Sequence, residues 1–390
     1  MPDRVQVYLD HNSTTFLHPE VLEAMVACER SGYANPASQH RAGRRARAVL
    51  EDAREGIADL LGANSGGHLR DQLIFTSGGT EANNLAIRGL AVRRHDEPLA
   101  VGISAIEHPS VLEAAEYLRQ GGAVVTRLPV TADGRIDLGT ALEFVRHRPA
   151  LISVMLGNNE TGVLQPVQEL STPCREHRVC LHTDAVQAIG KVPVNFVQLG
   201  IDAMTITAHK FQGPRGIGAL IVRHGVALEP LMVGGSQQFG KRPGTESISL
   251  AVGMHLALRL ALRDLDKHQA HMLALRDALE RQLTSVDAGG LVNGTAPRLP
   301  HTLNISFPGL DRQALVMALD MAGIFCSTGS ACSSGSSEPS HVLLAMNCGD
   351  QRVGSSVRFS LSPLTTFAEV EIACRRILSL LRDLRRQTSL

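Results

Sequence analysis

With 390 residues, 38 of them basic and 38 acidic, the chain has no net field to draw it to nucleic acid or to an anionic membrane. Aromatic residues make up only 3% and Trp is absent, which argues against base-stacking platforms, while 44% hydrophobic and 19% charged residues are ordinary for a globular protein. The seven cysteines include no C-x-x-C pair, so neither a disulfide framework nor a zinc cage is expected.

Met1 to Asp10 holds no apolar run of signal-peptide length, and Ile248 to Leu262 is interrupted by His255 and Arg259, as in a buried helix. A cytoplasmic, reducing location with no membrane span is therefore expected. In chain order, β-rich runs follow at Gln72–Thr76, Leu99–Ser104, Ala123–Leu128, Leu151–Leu156, Val179–Thr183, Ala203–Thr207 and Ile217–Val222. Helical segments such as Thr80–Arg93 and Pro109–Arg119 separate several of them. Such apolar runs spaced by helices predict a mainly parallel seven-stranded sheet covered on both faces, an α/β large domain. An amphipathic stretch, Ser247–Leu283, and a turn-rich link, Asp287–Pro300, come next. The pattern then restarts as a small α+β unit: strand Thr302–Phe307, helix Arg312–Met321, strand Ile324–Cys326, a Ser/Gly loop to Glu338, strand Ser356–Leu361 and helix Phe367–Leu384. The expected division is a large domain over 15–260 and a small one made of 1–14 and 261–390.

Ligands of parallel sheets collect at the carboxyl ends of the strands. Ser77-Gly78-Gly79-Thr80 follows the first run and opens a helix, a place where a phosphate meets backbone N–H groups, although such turns also occur without a ligand. Asp184 ends another run. It is either a helix cap or the partner of a buried cation such as a protonated pyridine nitrogen. Lys210 follows Ala203–Thr207 and precedes the turn Phe211-Gln212-Gly213-Pro214, so it is either a surface lysine or a partly desolvated amine able to form a Schiff base. The succession of phosphate loop, acid and lysine, each at its own strand end, favours the chemical readings.

The stretch Thr207-Ala208-His209-Lys210-Phe211-Gln212-Gly213-Pro214 resembles the cofactor-lysine motif of the cysteine desulfurases, fold-type-I pyridoxal-phosphate (PLP) enzymes. The resemblance runs through Asn35-Pro36-Ala37-Ser38, Thr76–Asn83, Glu107-His108, Asn158–Gly162, His182–Gln187, Arg242-Pro243-Gly244-Thr245, Ser330-Ala331-Cys332-Ser333 and Val357-Arg358-Phe359-Ser360. It fits the branch that includes the nitrogenase-associated and housekeeping iron–sulfur enzymes.

That resemblance implies PLP held covalently by Lys210, with Asp184 on the ring nitrogen, Gln187 on the phenolic oxygen and His108 stacked on the ring. It puts Gly79, Thr80, Thr207 and His209 on the phosphate, joined by Thr245 from a second subunit of a homodimer. Asn159 would border both the cofactor ring and the substrate, L-cysteine, Asn35 would border the substrate, and Arg358 would clamp its carboxylate. Cys332 would take the sulfur as a persulfide and pass it to an acceptor protein, such as an iron–sulfur scaffold. Cys326, at the end of an apolar run, is expected to be an inert thiol. A selenocysteine lyase, another aminotransferase or lyase on this fold, and a non-enzymatic sulfur-transfer scaffold are the alternatives. The chain departs from the pattern at His11-Asn12-Ser13, where relatives more often have Asn-Ala, and at Gln237-Gln238-Phe239, where a Glu-Arg pair is common.

Overall fold

The structure, a computed structural model, describes residues 5–92, 98–295, 297–329 and 338–388. Its strands are β1 (Val7–Tyr8), β2 (Gln72–Thr76), β3 (Ala100–Ser104), β4 (Val124–Leu128), β5 (Leu151–Ser153), β6 (Cys180–Asp184), β7 (Ala203–Thr207) and β8 (Gly218–Val222). The series continues with β9 (Leu291–Val292), β10 (Thr302–Ser306), β11 (Ile324–Phe325) and β12 (Ser356–Ser360).

A 7-stranded sheet runs in the order β2-β8-β7-β6-β5-β3-β4. The pairs among β3 to β7 are parallel, whereas β8 runs antiparallel to both β2 and β7. Strands β7 and β8 are buried throughout, as befits runs with helices on both faces. One face is covered by helices Pro19–Arg30, Arg41–Leu60 and Ile248–Arg263 in a core that includes Leu50, Ile57, Ile206 and Leu258. The other face packs helices Gly79–Leu90 and Pro109–Gln120 through Ala82, Leu85, Val111 and Ala115. Truncating a side chain as enclosed as Ile206 to alanine costs about 2–5 kcal/mol.

A second core gathers Val7 and Leu9 with Leu275, Leu303, Phe307, Leu315, Ile324, Phe359 and Ile377. Here β1 pairs in parallel with β11, and β10 lies between β9 and β12, antiparallel to both. The N-terminal segment then crosses to the large sheet, where Thr15 N–H donates to the His209 carbonyl over 3.0 Å.

Two expectations are refined. The amphipathic stretch 247–283 is two helices, Ile248–Arg263 and Leu265–Leu283, because Asp264 (φ −113°, ψ 26°) leaves the helical region. Within the turn-rich link, Leu291–Val292 forms a strand flanked by Gly290 and Asn293, too short for alternation to show.

Candidate active site

A cavity of about 210 Å³ opens beyond the carboxyl ends of β2, β6 and β7, lined among others by Gly79, Thr80, Asn83, His108, Asn159, Asp184, Gln187, Thr207, His209 and Lys210. Nine of the expected cofactor residues thus meet in one place; only Thr245 lies elsewhere.

Asp184 ends β6 with its carboxylate buried. Its Oδ1 accepts from Val186 N–H over 2.9 Å, and its Oδ2 accepts from Asn83 Nδ2 over 2.7 Å. Asn83 also donates to Ser110 Oγ over 2.9 Å, while its buried Oδ1 has no partner among the described residues. Ser110 closes the chain: its N–H donates to His108 Nδ1 over 3.1 Å, capping helix Pro109–Gln120, and its Oγ lies 2.7 Å from the same nitrogen. Burial holds the His108 imidazole below its usual pKa; Asp184 opposes this, and Lys210 and His341 add to it. Beside it, the fully buried Glu107 accepts from Met155 N–H over 2.7 Å. Burial pushes its carboxyl well above the usual range, with the Met155 N–H opposing and the Asp184 charge adding to the rise.

Lys210 follows β7 in a single turn, Ala208–Lys210. Its Nζ donates to the main-chain carbonyls of Ser13, over 2.7 Å, and Asn12. Gln187 Nε2 donates to the same Asn12 carbonyl over 3.0 Å, and Asn12 Nδ2 reaches the Asn159 carbonyl over 3.1 Å and Thr302 Oγ1 over 3.0 Å. The N-terminal segment therefore binds the lysine turn to both sheets.

A neighbouring hollow shares Gly79, Thr80, Thr207 and His209 and adds, among others, Ser77, Gly78, Glu81 and Arg215. A Cβ at Gly218 would come within 2.7 Å of the Gly78 carbonyl carbon, so this backbone approach requires glycine. The N-terminus of helix Gly79–Leu90 faces the hollow, and its dipole favours an anion. Thr207 Oγ1 donates to the Ile217 carbonyl over 3.1 Å, and His209 Nδ1 pairs with Thr14 Oγ1 over 3.2 Å. Burial, then Lys210 and Arg215, lower His209 to about 4.

Arg358, in β12, is buried beside the cavity rather than lining it. Its Nη2 donates to Asp10 Oδ1 over 2.6 Å and to Ser13 Oγ over 3.1 Å; its Nη1 reaches the carbonyls of Asn159 and Gly329, both over 3.0 Å. Asn35 and Thr245 do not join the cavity of their own chain: both line a separate hollow, where Asn35 Oδ1 accepts from Ala37 N–H over 2.9 Å. Cys332 lies outside the described residues. Cys326 is half-buried, and burial, with Asp10 adding, raises its thiol far above the normal range.

The departures from the family pattern have structural work. Gln238 and Phe239 both adopt left-handed backbone (φ 50° and 60°). Gln238 Oε1 accepts from Phe75 N–H of the edge strand over 2.8 Å and from Arg54 Nη1 over 2.7 Å, and the Arg54 guanidinium lies 5.1 Å from the Phe239 ring. His11 is buried edge-on to Tyr8 and Phe16.

Asn83, Ser110, Glu107, Asn12 and Ser13 carry the site without having been assigned a role from sequence. Helical spacing could have revealed Asn83, four residues after Gly79 on the same helix face. Asn12 and Ser13 hold the lysine through main-chain carbonyls, which have no sequence signature.

Comparison with known proteins bears on the family and the fold. Residues 7–372 match the aminotransferase class-V family. The cysteine desulfurase IscS of Dictyoglomus turgidum is 42% identical over 362 residues, spanning 93% of this chain and 91% of its own. A solved NifS-like protein superposes with a TM-score of 0.89 at 33% identity, covering 97% of this chain and 100% of its own. SspA, solved in complex with cysteine, superposes at 0.78 with 32% identity over 92% of this chain and 100% of its own.

Proposed function

This chain belongs to the aminotransferase class-V family and is a PLP-dependent cysteine desulfurase, and we propose that it works through Lys210, Asp184, His108 and Cys332. The observation that carries the assignment of roles is the meeting of Lys210, Asp184 and His108 around one cavity. The donor set suits the cofactor. A buried carboxylate seeks a cation, a primary amine lines the same cavity, and a hollow at a helix N-terminus adjoins it.

When bound, PLP supplies an aldehyde for an amine and a ring that accepts electron density as the substrate α-proton leaves. Asp184, fixed by Asn83 and Val186, would keep the ring nitrogen protonated, while Gln187 would serve the phenolic oxygen and His108 would stack on the ring. Gly79, Thr80, Thr207, His209 and Arg215 hold the phosphate. The Lys210 amine, freed when the substrate amine takes its place, would accept the substrate α-proton and return it. Arg358 would engage the carboxylate of L-cysteine by turning its fork from Asp10 and Ser13, and Asn159 would border the substrate, with Asn35 joining from the second copy because it shares the hollow of Thr245. The Cys332 thiolate attacks the substrate sulfur: an S–S bond forms, the C–S bond breaks, the released carbon is protonated, and alanine leaves a persulfide on the enzyme.

The same reading makes the enzyme a homodimer, because Thr245 lies away from its own cavity and a second copy can bring it to the phosphate. It also divides the chain at 15–260 and at 1–14 with 261–390, the latter parts sharing the second core. A cytoplasmic location, delivery to an iron–sulfur scaffold or another acceptor protein, and no part for nucleic acid or membrane complete it. Cys28, Cys174, Cys326, Cys348 and Cys374 are free thiols, and no helix among the described residues is long and apolar enough to cross a membrane. Incubating the PLP-loaded protein with L-cysteine and measuring alanine and sulfide tests the proposal; absence of both products would end it.

A further inference from the structure

Lys191 lies in the turn that leaves the end of β6, and its side chain is buried. Burying an ammonium is unfavourable unless something fixed receives it. No carboxylate among the described residues offsets this one; burial alone lowers Lys191 to about 8. The basic groups His11 and His301 share its surroundings, and its charge helps to hold both imidazoles low. The partner the structure gives Lys191 is the main-chain carbonyl of Lys210, over 3.0 Å. The turn is shaped for that approach. Gly190 has φ +71°, and a Cβ there would come within 3.2 Å of the Phe211 Cβ and 3.1 Å of the Ala261 Cβ.

Lys210 is therefore held at two points, its Nζ by the carbonyls of Asn12 and Ser13 and its own carbonyl by Lys191. We infer that Lys191 is a positioning residue: by fixing the Lys210 carbonyl, it sets the peptide plane from which the Lys210 amine reaches the cavity. This rests on Lys210 as the cofactor lysine. Removing the grip leaves the amine present but less often aligned, so it slows covalent capture of the cofactor without weakening cofactor or substrate binding.

The test follows capture directly. PLP is added to the full-length chain, samples are reduced with borohydride at intervals, and mass mapping gives the fraction of PLP fixed to Lys210. In K191M, which matches the length of lysine but cannot donate, fixation is expected to be about tenfold slower, with bound PLP unchanged and the fold retained by circular dichroism. With cysteine as substrate, kcat should fall while KM stays. K191Q is a polar second variant whose amide is too short to reach the carbonyl. If K191M does not fold, K191Q is read in the same assay with the same expectation. Fixation at the wild-type rate in a folded variant would overturn the inference, as would slow fixation explained by lost PLP binding. PLP fixed in the wild type anywhere but on Lys210 would instead overturn the reading of the site itself.

Discussion

Asn83 Nδ2 donates at once to Asp184 Oδ2 over 2.7 Å and to Ser110 Oγ over 2.9 Å, joining the acid of β6 to the cap built on His108. Two helices and a strand thereby fix one carboxylate facing the cavity. Asp184→Asn keeps the shape but cannot hold a ring nitrogen protonated. Its expected turnover is about 100-fold lower or less, with near-normal circular dichroism and PLP content. Normal turnover would make Asp184 only a helix cap.

Asn83→Ala leaves a buried Asp184 oxygen without its donor. The expected loss is about 1–3 kcal/mol in urea unfolding, since an unsatisfied buried acceptor bears its full desolvation cost. Weaker PLP retention should accompany it. An unchanged midpoint would show that the Asn83 bond contributes nothing.

Lys210→Ala should abolish alanine production, because only a primary amine at this strand end can bond the cofactor and move the α-proton. PLP held without a covalent bond can still colour the variant, so product is the readout. Alanine formed at the wild-type rate would refute the role of Lys210.

The buried histidines give the stability a pH dependence of known sign. Burial lowers His182 to about 3, and burial with the Lys191 charge lowers His11 to about 3. An unfolded histidine titrates near 6.5. Below that pH the unfolded chain binds protons that the native state refuses. Their contribution is therefore complete above about pH 6.5 and is lost as the pH falls toward about 3, by up to about 1.4 kcal/mol per pH unit for each histidine. His182 satisfies Ser153 Oγ over 2.9 Å and Thr205 Oγ1 over 3.0 Å inside the sheet. Urea midpoints between pH 7 and 5 should thus fall less steeply for His182→Gln than for the wild type; equal slopes would refute the assignment.

Much of this site was legible because its chemistry falls at strand ends. Asp184 ends one buried β-run, Lys210 closes the turn that follows another, and Gly78-Gly79 opens a helix, so periodicity led to the residues that line the cavity. The reversed direction of β8 was not legible, because an apolar run reads the same in either sense. Nor were the grips on Lys210 by Asn12, Ser13 and Lys191, since two are made by carbonyls of the N-terminal segment and the third is made to a carbonyl. Asn35 and Thr245, expected at the substrate and the phosphate, share a hollow apart from the cavity because their segments lie side by side elsewhere on the chain. The glycine-rich departure at Gln238-Phe239 is explained only by the Phe75 N–H it caps and the Arg54 it packs against.

The central claim is that sulfur leaves cysteine for the thiol of Cys332, and one turnover followed by site mapping tests it most directly. PLP-loaded enzyme is mixed with a stoichiometric amount of L-cysteine, alkylated, digested and mapped by mass over all seven cysteines. The account predicts one added sulfur on the peptide carrying Cys332, matched by one alanine. Cys326→Ser should leave that result intact, because burial keeps the Cys326 thiol protonated and inert. In Cys332→Ser, PLP and cysteine should still bind while alanine and persulfide both disappear. Persulfide on Cys326, or on none of the cysteines while alanine accumulates, would contradict the mechanism.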